Sequence, residues 1–131
     1  MNIQELNTAL VTIIQKKQEL SKLSYNDNRY DDVEEELHDL EDEFNDNFGE
    51  YLEEVLGDVH MKVCPDTDVL LPTAYLPETL NADELNGKQG VWVEADAYPN
   101  KEARLVLVPS PTRLILSVGN NVREEVWSTE V

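Results

Sequence analysis

Several residue groups in this chain have types and spacings that could do chemistry. Glu35 and His38 stand three apart. On a helix that spacing puts a carboxylate and an imidazole on one side, as in di-iron carboxylate bundles. Such a centre needs two of these motifs and two further glutamates from other helices. This chain has one motif, and the stretch before it offers only Glu5 and Glu19. His38 falls beside the apolar seam of its segment, so an exposed flank histidine is the expected reading, and no cofactor is expected. A metal site at Glu35, His38 and the neighbouring carboxylates stands as the alternative.

Asp66-Thr67-Asp68 opens like a calcium loop but lacks the glycine and closing glutamate at the required spacing. Asp66 reads as a turn residue after Pro65. His60 and Cys64 read as strand neighbours of equal parity. Four strand residues span roughly 13 Å, too far for a nucleophile and its base. The five glycines, at 49, 57, 87, 90 and 119, are scattered, and no G-x-S-x-G, H-E-x-x-H or CxxC occurs. These absences point to a protein that is not an enzyme.

Trp92 and Trp127 offer a different chemistry. Aromatic side chains line the grooves in which small β-domains hold peptides. Tyr75 and Tyr98 could complete such a patch, although aromatics that cover the second mini-core or pack on the hairpin are the more usual reading.

The elements that must position these residues come in two kinds. Residues 2–24 carry apolar side chains at Ile3, Leu6, Leu10, Ile13, Leu20 and Leu23, widened by Val11 and Ile14, which puts one stripe on a helix. Residues 24–29, SYNDNR, read as a turn in which Asn26, Asp27 or Asn28 caps the next helix. That helix covers Tyr30 to Leu56. Its seam is Tyr30, Val33, Leu37, Leu40, Phe44, Phe48, Tyr51 and Val55. A doubled step of four near Gly49 predicts a kink or break at residues 45–49.

A short loop makes the two helices antiparallel neighbours. With the turn at 26–27, Leu20 faces Val33, Leu10 faces Phe44 and Leu6 faces Phe48. Lys17 falls opposite Glu36 and Leu37. The hairpin should be roughly 30 to 40 Å long.

From residue 59 the period changes. Val59, Met61 and Val63 alternate with polar residues and read as a strand, with another short one at Val69 to Leu71. A helical turn is expected at Ala82 to Leu85. Strands follow at 91–95, 104–108, 113–118 and 122–127, with Asn120-Asn121 as a hairpin turn. The expected fold is α+β: an acidic helical hairpin over 1–58, then a small antiparallel β-meander or barrel over 59–131. The second part is SH3-like by analogy of architecture only, and the two should pack as one unit.

The chain has 131 residues, a net charge of -18 and a single cysteine, so no intrachain disulfide forms. Residues 25–58 carry 15 acidic residues against Arg29 alone. Such a charge repels nucleic-acid backbones and anionic membranes. It suits a basic protein surface. The hairpin buries only one face of each helix, so a second copy docked as a homodimer through Val11, Ile14, Leu52 and Leu56 is the other expected partner. No apolar run is long enough to span a membrane. The N-terminus reads as mature helix rather than a signal peptide, so a cytoplasmic location is expected.

The expected function is a non-enzymatic protein–protein interaction module. Asp39, Glu43, Asp46, Trp92 and Trp127 are its candidate contact residues. An acidic mimic of nucleic acid is a further alternative to metal binding.

Overall fold

A computed structural model describes residues 2–85, 89–119 and 121–130. Two helices precede a four-stranded antiparallel sheet, an α+β arrangement. Helix α1 spans Ile3–Ser21, and Asn2 caps it by accepting from the Glu5 backbone N–H at 3.0 Å. Helix α2 spans Tyr30–Val63. At 1.5 Å per residue it is roughly 50 Å long.

The expected hairpin forms. Leu6, Leu10, Ile13 and Ile14 of α1 are buried, as are Val33, Leu37, Phe44 and Phe48 of α2. The cross-helix ion pair belongs to Lys16, whose ammonium meets Glu36 at 2.8 Å and Glu19 at 3.0 Å. It does not belong to Lys17, one residue on. The expected cap is also absent. Arg29 precedes α2 without a side-chain cap. Asp27 instead folds the turn, accepting from the Arg29 backbone N–H at 2.8 Å and pairing with its guanidinium. That guanidinium holds the Asp27 carboxyl below the usual range.

The expected break at residues 45–49 does not occur. Gly49 is buried inside a continuous helix. Phe44, Phe48 and Leu52 anchor the stretch on both sides, and their burial outweighs the weak propensity of one glycine. Nor is residues 59–63 a strand. Leu56, Val59, His60 and Val63 step by three and four, and α2 continues through them with Val59 and His60 buried and Met61 77% exposed. A short alternating run fits both periods, and the core decides between them. The expected boundary after residue 58 therefore falls inside α2.

Residues 69–71 form no strand. Val69, Leu70 and Leu71 are exposed and lead into a 3₁₀ turn at Pro72–Tyr75. A second 3₁₀ turn occupies Ala82–Glu84, where a helical turn was expected.

The strands are β1 (Val91–Val93), β2 (Ala103–Val108), β3 (Arg113–Val118) and β4 (Val122–Ser128). They lie in the order β1-β2-β3-β4, an open meander rather than a closed barrel. With no strand at 59–63, the sheet lacks the fifth member that closure would use. Of the two turn positions flagged between β3 and β4, Asn120 lies outside the described residues, as does Gly87.

Both faces of the central strands are covered, as their two-sided apolar pattern requires. Leu105, Leu107, Leu114 and Leu116 share one core with Phe44, Leu52 and Leu56 of the helices. Val106, Val108 and Ile115 face the other way, under Leu85 and Ala82. Asn7 stitches α1 to the β2–β3 turn, its side-chain oxygen accepting from the Ser110 N–H at 2.8 Å and the Thr112 hydroxyl at 3.0 Å.

Candidate functional site

Alternation along β1 buries Val91 and Val93 and turns Trp92 outward, 49% exposed. β1 is an edge of the sheet, and the chain beyond it folds back into a groove of about 620 Å³. Trp92 and Tyr98 supply its aromatic surface. Glu94, Asp96 and Glu102 supply three carboxylates, against Lys101 as the one cation among the lining residues.

Backbone contacts fix the groove's wall. The Asp96 N–H donates to the Val63 carbonyl at the end of α2, and the Glu94 N–H donates to the Thr67 hydroxyl, each at 2.9 Å. Between them Ala95 is buried, which anchors the segment in the core. The Tyr98 N–H closes a turn on the Ala95 carbonyl at 3.0 Å, and Asn100 takes a left-handed φ of 65° to finish the loop.

The tryptophans do not form one patch. Trp127 packs beside Tyr51 of α2, ring centres 6.3 Å apart, on the helix-facing side of β4. It is partly buried and lies at the opposite edge of the sheet from Trp92. Tyr75 is fully buried, so of the two tyrosines only Tyr98 joins Trp92.

The second surface is the outer side of α2. Asp39, Glu43 and Asp46 are exposed there at helical spacings of four and three. Glu43 also borders a shallow groove of about 600 Å³ between the first turns of α1 and the middle of α2, near Phe48. Among the described residues the only ion pair made by an α2 carboxylate is that of Glu36 with Lys16. Glu36 and Glu19 in turn hold the Lys16 ammonium above its ordinary pKa.

Glu35 and His38 are both exposed on α2. Among the described residues no group of three or more histidine, cysteine, aspartate or glutamate side chains converges as a metal site. Asp66 and Asp68 are exposed, and Thr67 between them is spent on structure.

His60 lies in the last turn of α2 and Cys64 is its C-cap, donating its backbone N–H to the His60 carbonyl at 2.9 Å, so the two are not strand neighbours. The His60 ring is buried, with Nδ1 2.9 Å from the Thr67 carbonyl and Nε2 2.9 Å from the Tyr75 hydroxyl. Burial, with the Asp96 carboxylate adding to it, pushes the Cys64 thiol up to about 11. A protonated buried thiol is a poor nucleophile.

Of the residues expected at a dimer contact, Ile14, Leu52 and Leu56 are buried within the chain. The sheet covers them, which leaves only Val11 partly exposed. Among the described residues no helix is long and apolar enough to cross a membrane.

Sequence reasoning found Trp92 and Tyr98 but not the carboxylates that join them. Glu94 and Asp96 stand two apart in the sequence, and Glu102 lines the same groove because the chain turns at 98–101. No protein-family model, curated protein or solved structure matches this chain.

Proposed function

We propose that this protein is a non-enzymatic interaction module that docks a basic protein surface on the outer face of α2. One observation carries the reading. The helix presents a row of exposed carboxylates, Asp39, Glu43 and Asp46 among them, with a single cationic partner for the whole helix among the described residues. Packing does not account for these charges, because the buried seam lies elsewhere on the helix. Their mutual repulsion weakens the hairpin, with like charges four apart costing a few tenths of a kcal/mol each. A basic partner would relieve that repulsion, and the summed field would speed its approach.

Capture of partners from the source cells at low salt tests this, with wild type compared against a D39K/E43K/D46K variant. The expected partner is retained at low ionic strength and released beyond about 0.15 M, where the Debye length is about 8 Å. It is lost with the variant. Capture indifferent to both salt and the three substitutions would remove the α2 face from consideration.

A further inference from the structure

We propose that the Trp92 groove is a receptor for a single cationic side chain of the partner, arginine in preference to lysine. The inference rests on the reading that the partner is basic, and adds a second, structurally separate contact to it.

The groove's composition selects the occupant. The exposed Trp92 indole offers an apolar face that could hold many side chains, and Tyr98, its ring against the core and its hydroxyl donating to Glu124 at 3.5 Å, lines the groove as well. Three carboxylates around it, against one ammonium, exclude an anion and leave an apolar occupant with charges it cannot satisfy. A cation satisfies both surfaces, since it is drawn to the face of an aromatic ring and to a carboxylate. Arginine fits better than lysine, because its planar guanidinium stacks on an indole while its N–H groups donate to a carboxylate in the same plane.

The wall is also built before any ligand arrives. The hydrogen bonds of Glu94 to Thr67 and of Asp96 to Val63 lock the acid-bearing segment to the end of α2. A site held by backbone contacts loses little freedom on binding. Its volume of about 620 Å³ exceeds one side chain and leaves room for the neighbouring peptide backbone. The groove lies where the 94–102 loop leaves β1, and its lining carboxylates are exposed to an approaching segment.

The test is a titration of isotope-labelled protein with capped Gly-Gly-Arg-Gly-Gly, followed by amide and indole NMR shifts. The matched peptide carries citrulline, which keeps the shape and loses the charge. The expected result is saturable movement of the Trp92 indole N–H and of the 94–102 amides, at least tenfold weaker with citrulline. W92A, read from the 94–102 amides, should weaken binding at least fivefold. W92F should restore most of it. The triple variant E94Q/D96N/E102Q, with the indole intact, should weaken binding at least fivefold as well.

Equal affinity for the citrulline peptide, or W92A binding within twofold of wild type while the sheet amides stay in place, would overturn the proposal. The D39K/E43K/D46K variant should bind the pentapeptide within twofold of wild type. This separates the two readings. Partner capture lost with that variant, together with no effect of W92A on the pentapeptide, removes the groove and keeps the α2 face. Pentapeptide binding that depends on Trp92, together with capture unaffected by the α2 variant, keeps the groove and removes the α2 face.

Discussion

The imidazole of His60 and the phenol of Tyr75 meet inside the core, with 2.9 Å between Nε2 and the hydroxyl oxygen. The same hydroxyl accepts from the Leu70 N–H at 3.0 Å, so its own proton is free to go to Nε2. Nδ1–H is then the donor to the Thr67 carbonyl. This chain of contacts ties the whole 64–76 segment to the last turn of α2, although Val69, Leu70 and Leu71 bury little of their own surface.

Tyr75→Phe should therefore cost more than one hydrogen bond. It leaves the buried His60 nitrogen and the Leu70 N–H without partners, a loss of about 1–3 kcal/mol each at worst. Urea denaturation should show a drop of about 2 kcal/mol. Amide exchange should show Leu70 opening far faster than the α1 amides. A variant with unchanged stability and an unchanged Leu70 amide would show that the network holds nothing in place.

Two glycines should respond in opposite directions to alanine. Gly49 lies in mid-helix, and a Cβ there would meet only the Asn45 Cβ, at 3.9 Å. Gly49→Ala should stabilise by about 0.5–1 kcal/mol, the usual difference in mid-helix where a Cβ has room. At Gly90, with φ of +89°, a Cβ would overlap the Leu105 carbonyl oxygen where the chain enters β1. Gly90→Ala should destabilise by about 2 kcal/mol or more, through both the backbone strain and the clash. Thermal melts of the two variants decide this. A loss at Gly49 would mean that α2 is kinked there.

The hairpin and the central strands were legible because their signals are local and redundant. Leu6, Leu10 and Ile13 repeat at helical spacing, and Leu105 to Val108 are apolar on both faces. The misreadings share a cause. Val59 and Val63 suit a strand or a helix equally, and what settles them is contact with Tyr75, Leu76 and the sheet, far along the chain. Gly49 looked like a break because propensity is local, while the burial of Phe44 and Leu52 is not. The candidate site was half legible. Alternation along β1 turned Trp92 outward, yet nothing local paired Trp127 with Tyr51. Asn7 gave no signal at all, since a polar residue on a helix shows nothing of the turn it will meet at residue 110.

Cys64 gives the protein an alkaline limit. Its thiol titrates near 9.0 when unperturbed and is pushed to about 11 in the fold. Between those values the unfolded chain loses the proton and the folded chain keeps it. Stability is therefore full below pH 9 and falls as pH rises toward 11, by about 2–3 kcal/mol for a shift of this size. The Tyr75 hydroxyl, also raised by burial, acts in the same direction at higher pH. Denaturation midpoints at pH 8, 9, 10 and 11 should fall less steeply in Cys64→Ala than in wild type. Parallel slopes would overturn the assignment. Iodoacetamide should likewise label native protein slowly at pH 9 and unfolded protein fast.

The charge on α2 makes a last prediction, one that needs no partner. A helix whose carboxylates have only Lys16 as an ion-pair partner among the described residues is under repulsion in its own folded state. Salt screens repulsion between exposed charges beyond the Debye length, which shrinks from about 30 Å at 0.01 M to about 8 Å at 0.15 M. The melting temperature should therefore rise with sodium chloride over that range, rather than fall as it would for a fold held by ion pairs. The D39K/E43K/D46K variant should melt higher than wild type at 0.01 M, by about 1 kcal/mol of stability, because position 39 has Glu35, Glu36 and Asp42, and position 46 has Asp42 and Glu50, three or four residues away. It should also respond less to added salt. The Lys16→Gln variant should move the other way at low salt, since it removes the bridge to Glu19 and Glu36. A melting temperature independent of salt in all three proteins would mean that the carboxylates are already compensated, and the case for a basic partner on α2 would go with it.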